Sequence, residues 1–221
     1  MKLICEALVK FLLGVVLVGA LVFLPAGTLD YLQGIVFALL LFVPMLIAGL
    51  VMIIKDPSFL KKRLDNKEKE GEQKKVVALS GIMFILGFVA SGLSFRFDFL
   101  MLPMWVTYVG AIVFVSSYVK YAIVMKQNKY LFRTVKVEEG QQVVDTGFYK
   151  YVRHPMYSAT VFLFLSIPLI LGSVISLAVF AAYPVIIAKR IKNEEQVLEK
   201  ELPGYIEYKK KVKYKMIPFI W

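Results

Sequence analysis

Five long stretches of this chain contain no Asp, Glu, Lys or Arg: Phe11–Leu29, Tyr31–Ile54, Val76–Phe95, Phe99–Val119 and Pro155–Ala188. A helix rising 1.5 Å per residue needs about 20 apolar residues to cross a ~30 Å hydrocarbon core. The first four stretches therefore fit one span each. The fifth has 34 residues and would be ~51 Å long as one helix, too long even when tilted. Pro168, Gly172, Ser173 and Pro184 interrupt it, and Gly172-Ser173 is the natural turn. We read 155–188 as a tight helical hairpin, against one tilted and kinked span as the alternative. The expected fold is an all-α, polytopic integral membrane bundle of about six spans, closed by a cytoplasmic C-terminal helical cap. Composition agrees: 59% of the residues are hydrophobic, 19% are charged and the mean hydropathy is +0.69, which excludes a disordered, collagen-like or disulfide-scaffold protein. With Cys5 the only cysteine and His154 the only histidine, no internal disulfide forms and no metal centre is expected.

The basic residues orient the bundle. Lys2 and Lys10 precede or open the first span, eight Lys/Arg lie in 55–75, six in 126–153, and nine follow Ala188. The loops around Asp30 and Gly172 have none, and the one near Arg96 has one. Six alternating spans place every basic segment on one side, which the positive-inside rule makes cytoplasmic, with both termini. The net charge of +11 is thus topological, with some attraction to anionic headgroups, and no nucleic-acid partner is expected. A cleaved signal peptide is the competing reading of the first span, but the run exceeds an h-region and no A-x-A site ends it.

The chain divides into a transmembrane scaffold, 1–125, with a cytoplasmic loop at 55–75, and a region at 126–221 where polar, aromatic and ionisable residues surround the hairpin 155–188 and a cytoplasmic tail. The loop reads as a solvated connector, with Phe59 and Leu60 at the interface. In 141–157, Asp145-Thr146-Gly147 forms a turn in which Gly147 takes positive φ. Pro155 suits the first turn of a helix, where its missing N–H is not needed. Arg153 and His154 then sit at a helix mouth whose free N–H groups and dipole attract anions. The plainer reading is an ordinary helix start, with Arg153 snorkelling to headgroups. Past the last span, Arg190 and Glu194 are i, i+4 and share a face with Leu198; the plainer reading is one weak surface pair. An antiparallel hairpin brings 154–157 and 190–194 to one membrane depth, and that convergence favours a functional site. Pro203-Gly204 ends the helix, and the aromatic tail through Trp221 folds back towards the cluster.

These residues carry a resemblance. Gly147-x-Tyr149, Arg153-His154-Pro155-x-Tyr157, Arg190-x3-Glu194-Glu195-x2-Leu198, Tyr205-x2-Tyr208-x3-Val212 and Ile217-Pro218-Phe219 resemble, in order and spacing, the isoprenylcysteine carboxyl methyltransferase family, most closely its prokaryotic integral-membrane branch. The likeness covers about 135–221; the scaffold matches in character, including Asp56-Pro-Ser-Phe-Leu-x2-Arg63-Leu64. It implies an S-adenosyl-L-methionine cofactor bound by Gln141, Val143, Val144, Tyr149, His154, Pro155, Met156, Tyr157 and Glu194. It also implies Arg190 as the substrate-binding and catalytic cation, with Glu194 and Glu195 beside it. The eukaryotic enzymes have His where this chain has Gln141, whose amide can still hydrogen-bond an adenosyl group.

The function so implied is carboxyl O-methylation of a lipophilic, isoprenylcysteine-like molecule or lipidated protein, at the cytoplasmic face of a bilayer. A carboxylate acceptor with a pKa near ~4 is ionised at neutral pH and needs no base; an amine acceptor would call on Glu194 or Glu195. The rivals are a phospholipid or amine N-methyltransferase, an NADPH-dependent sterol-reductase-like enzyme, which shares Arg-His-Pro-x-Tyr and a Tyr-Lys-x-Ile-Pro ending like 214–218, and a non-enzymatic membrane protein in which His154, Arg190 and Glu194 would be replaceable. Six spans and Glu194-Glu195 favour the methyltransferase over the reductase.

Overall fold

A computed structural model describes residues 2–64, 71–131 and 137–221. Its elements are helical: α1 (Lys2–Ala26), α2 (Leu32–Lys55), α3 (Pro57–Leu64), α4 (Gly71–Arg96), α5 (Met104–Gln127), a 3₁₀ turn (Gly147–Lys150), α6 (Pro155–Leu171), α7 (Val174–Phe180), α8 (Tyr183–Glu201) and α9 (Tyr205–Lys211). Leu3–Ala26, Leu32–Lys55, Gln73–Arg96, Met104–Gln127 and Val174–Glu201 are each long and apolar enough to cross a membrane, and Pro155–Leu171 is a shorter apolar helix. The outer surface is itself apolar. Val16 is 68% and Leu24 75% exposed, a pattern that suits lipid and would be unfavourable in water. The interior is aromatic: Phe37, Phe88, Phe114 and Phe180 are buried, with neighbouring ring centroids 5.6–6.3 Å apart, the range of favourable ring contacts.

The hairpin turn falls where the residue types place it. Gly172 ends α6 at φ +69°, and Ser173 starts α7 by accepting a hydrogen bond from the Ser176 N–H at 3.1 Å. Glycine pays no Cβ penalty in that left-handed conformation. Residues 155–188 therefore do not run as one continuous helix but break at Gly172-Ser173 into α6 and the α7–α8 segment. The carbonyls left over at the end of α6 are taken by the α1–α2 and α4–α5 connections and the start of α5. Thr107 Oγ1 donates to Ile170 O at 3.2 Å, the Tyr31 hydroxyl to Leu171 O, and Leu102 N to Gly172 O at 2.7 Å. Ser94 and Ser173 hydroxyls meet at 2.8 Å. The turn thus lies in one layer with the α1–α2 and α4–α5 loops.

Close helix contact holds the hairpin in place. α6 makes its largest contact with α5, where a Cβ on Gly110 would stand 2.9 Å from Ile170 N; small residues permit such approach between helices in lipid. Between α7 and α8, Pro184 has no N–H to give to Phe180 and the helical ladder breaks.

The 55–75 connector differs from expectation. Residues 57–64 form α3, started by Asp56, whose Oδ1 accepts from Phe59 N at 2.9 Å and Ser58 Oγ at 2.7 Å, with Pro57 in the first helical position. Leu60 is buried and Arg63 donates to the Tyr121 hydroxyl, so this part of the loop is docked against the bundle. The remainder of that connector, 65–70, lies outside the described residues.

Candidate active site

The site is built around the start of α6. At Gly147 the backbone takes φ +59°, and the Gly147–Lys150 turn brings Tyr149 inward. Phe148 N donates to Gln127 Oε1 at 3.0 Å and Asn128 Nδ2 to the Tyr149 hydroxyl at 3.1 Å, which fastens this turn to the end of α5. Pro155 opens α6, and His154 before it offers no side-chain cap. The first N–H groups of the helix thus have no intrahelical acceptor.

Arg153 does not snorkel. It is buried: Nε donates to Glu195 Oε1 at 2.7 Å, and Nη1 to Val212 O at 2.7 Å and Lys213 O at 2.8 Å. The backbone repeats the link, with Arg153 N donating to Tyr214 O at 3.0 Å and His154 N to Lys215 O at 2.8 Å. Residues 212–215 therefore run as a strap across the mouth of α6. His154 Nε2 lies 3.1 Å from Glu195 Oε1, and Nδ1 3.9 Å from Glu194 Oε1. Lys209 Nζ approaches the other Glu195 oxygen at 4.0 Å.

Neighbouring glutamates on α8 consequently face different ways. Glu195 is buried in the Arg153–His154 junction and does not line the cleft, whereas Glu194 does. Between Glu194 and Arg190 stands Tyr157, whose hydroxyl donates to Glu194 Oε2 at 2.5 Å and accepts from Arg190 Nε at 2.9 Å. The expected Arg190–Glu194 relation is a relay through a phenol rather than a weak surface pair. Arg190 is steadied from behind by Gln73 at the start of α4, whose Nε2 donates to Arg190 O at 3.3 Å.

A cleft opens over this relay. The structure brings together Gln141, Val143, Val144, Tyr149, His154, Met156, Tyr157, Arg190 and Glu194 along its wall. Pro155 shapes the helix start without lining the cleft. Further lining residues that sequence reasoning did not assign are Gln142, Asn128, Tyr130, Leu131, Leu198, Leu202, Tyr205 and Tyr208. The spacing of the last four was a usable signal, because Leu198, Leu202, Tyr205 and Tyr208 pack with Val143 and Val212 as one apolar cluster. Nothing in the local pattern marked Asn128.

Burial pushes the phenols of Tyr149, Tyr205 and Tyr208 well above their usual value, so all three remain neutral donors at physiological pH. The Tyr208 hydroxyl donates a hydrogen bond to Tyr149 O at 2.7 Å. The Tyr205 hydroxyl is buried and has no hydrogen-bond partner among the described residues. Gln141 Oε1 accepts from Glu138 N at 3.0 Å, which leaves its NH₂ as the group for a ligand. Among the described residues no three His, Cys, Asp or Glu side chains are grouped to hold a metal ion.

Residues 108–200, from α5 to the end of α8, match the isoprenylcysteine carboxyl methyltransferase (ICMT) family model. No curated protein sequence matches the chain. Among solved structures, the chain is similar to a eukaryotic intramembrane Ras methyltransferase, isoprenylcysteine carboxyl methyltransferase, at 18% identity and a TM-score of 0.50, over 86% of this chain and 74% of that one. The matched segment contains the helix mouth, Tyr157, Arg190 and Glu194, and over that segment the chain is similar to the isoprenylcysteine carboxyl methyltransferase family, while its fold is similar to that of the eukaryotic enzyme.

Proposed function

We propose that this integral membrane methyltransferase uses S-adenosyl-L-methionine to methylate the carboxylate of a lipophilic, isoprenylcysteine-like substrate, with the active site at the cytoplasmic face. The observation that carries this reading is the Arg190–Tyr157–Glu194 relay at the edge of the apolar hairpin. Arg190 stands two residues beyond Ala188, where the charge-free stretch ends, so a substrate dissolved in the bilayer can present a polar end to it.

The residues fit the cofactor's chemistry. The unpartnered Tyr205 hydroxyl and the Gln141 NH₂ are donors suited to an adenosyl group, Val143 and Val144 supply an apolar wall, and Tyr149 stands beside them. At the α6 mouth, from His154 to Tyr157, backbone N–H groups can hold a carboxylate, and Glu194 offers negative charge to a cationic group. When bound, the sulfonium supplies an electrophilic methyl group for in-line displacement. The protein's part is then to align the acceptor and exclude water. An ionised carboxylate needs no base, and the Arg190 guanidinium can hold it bidentately while Tyr157 fixes the direction of that guanidinium. Glu195, expected among the catalytic residues, is better suited to positioning: it ties α8 to the helix mouth and the strap.

Six spans with both termini cytoplasmic complete the reading. The hairpin turn shares a layer with the far-side loops, and the basic segments lie at the other end. Residues 1–125 then act as scaffold for a methyltransferase region at 126–221, from which all the cleft residues come. Calorimetry on detergent-solubilised protein tests the class of the enzyme: S-adenosylhomocysteine should bind and NADPH should not. Binding of NADPH alone would replace the proposal with the reductase reading.

A further inference from the structure

A second groove lies on the opposite side of α8 from the cleft and shares no lining residue with it. Lys189, Lys192, Asn193 and Gln196 line it from the helix, and Lys215 and Trp221 from the strap and tail. The helical repeat explains the separation, since residues 188, 192 and 196 form one row while 190, 194 and 198 form the row that faces the cleft. We propose that this groove binds the phosphate of an anionic membrane phospholipid.

Three observations converge on that ligand. The groove carries three ammonium groups, two amides and an indole, and among the described residues no acidic side chain lines it, so it is suited to donate hydrogen bonds to an anion. Asn193 lines the groove, and its Nδ2 is buried without a hydrogen-bond partner among the described residues, which is unfavourable unless an acceptor arrives. The Lys215 ammonium is held over the Trp221 ring, 4.6 Å from its centroid, and so forms part of a fixed wall.

Position identifies the anion as lipid-borne. Ala188, at the membrane-side end of the groove, is the last residue of the charge-free stretch, so the groove opens at headgroup depth. Beside Trp221, Phe219 and Ile220 are 86% and 77% exposed. Such apolar tips suit insertion among acyl chains, and indole rings favour the interface. Anionic leaflets attract clustered lysines at this depth. The inference stands apart from methyl transfer, since none of its residues lines the cleft.

Trp221 is the natural reporter, because Trp105 is the only other tryptophan. In nanodiscs, a Trp105→Phe chain should be quenched more strongly by brominated phosphatidylglycerol than by brominated phosphatidylcholine, by about threefold in relative binding constant. Adding Lys192→Gln and Lys215→Gln should remove that preference while the unfolding temperature in phosphatidylcholine stays unchanged. Native mass spectrometry of the unmutated chain gives an independent reading, with phosphatidylglycerol retained after detergent exchange in preference to phosphatidylcholine. Equal quenching by the two lipids, a preference that survives loss of both lysines, or equal retention would overturn the proposal.

Discussion

Removing the Glu195 carboxylate should detach the strap before it harms the bundle. The Arg153 and Glu195 side chains are 4% and 6% exposed, with Nε and Oε1 2.7 Å apart. Breaking one side of such a buried pair costs about 3–5 kcal/mol, because the remaining charge is stranded. In Glu195→Ala, Arg153 keeps its bonds to Val212 O and Lys213 O, so a loss near the lower end, about 3 kcal/mol, is expected. That loss acts where 212–215 meets 153–154. It should raise local opening by about a hundredfold. Hydrogen–deuterium exchange read by mass spectrometry in detergent would follow the amides of Arg153 and His154, which donate to Tyr214 O and Lys215 O. The double variant Arg153→Met with Glu195→Met should exchange more slowly than Glu195→Ala, because no charge remains buried. Wild-type exchange at 153–154 in Glu195→Ala would refute the idea that this pair holds the strap.

Other expected outcomes follow from the same geometry. His154→Ala and Glu194→Ala should each weaken S-adenosylhomocysteine binding about tenfold, or ~1.4 kcal/mol, and unchanged calorimetric affinity in both would reject their assignment to the cofactor. Tyr157→Phe keeps the ring but removes the hydroxyl between Arg190 and Glu194, so kcat should fall about tenfold or more with the unfolding temperature retained; wild-type turnover would make the relay incidental. Reporter fusions at Gly71, Gly140 and Trp221 should all report cytoplasm, and a signal from the opposite side at Gly140 would overturn the layout.

The fold is legible because its determinants are local. Charge-free length sets each helix, and Gly172 and Ser173 are chemically suited to the turn they make. The helix mouth is legible for the same reason, through Gly147 and Pro155. Long-range partnership is where the sequence falls silent. Arg153 reads equally well as a snorkelling cation, and only the return of 212–215 makes it a buried anchor. Glu194 and Glu195 are adjacent and chemically identical, yet the helix turns one to the cleft and the other to Arg153 and His154. Gln73, far away in the chain, supports Arg190 through a backbone carbonyl that no motif records. The docking of α3 depends on Leu60 and on Tyr121 of another helix, so a polar loop concealed it.

The central claim is a carboxylate acceptor held by Arg190. Methyl transfer to a prenylcysteine analogue and, in parallel, to phosphatidylethanolamine tests it, with wild type, Arg190→Lys and Arg190→Gln compared. A lysine supplies a point charge in place of a planar fork, so Arg190→Lys should lose much of its turnover on the prenylcysteine while S-adenosylhomocysteine affinity stays near wild type. Methylation of the amine alone, undiminished in Arg190→Gln, would contradict the account and leave a phospholipid N-methyltransferase in its place.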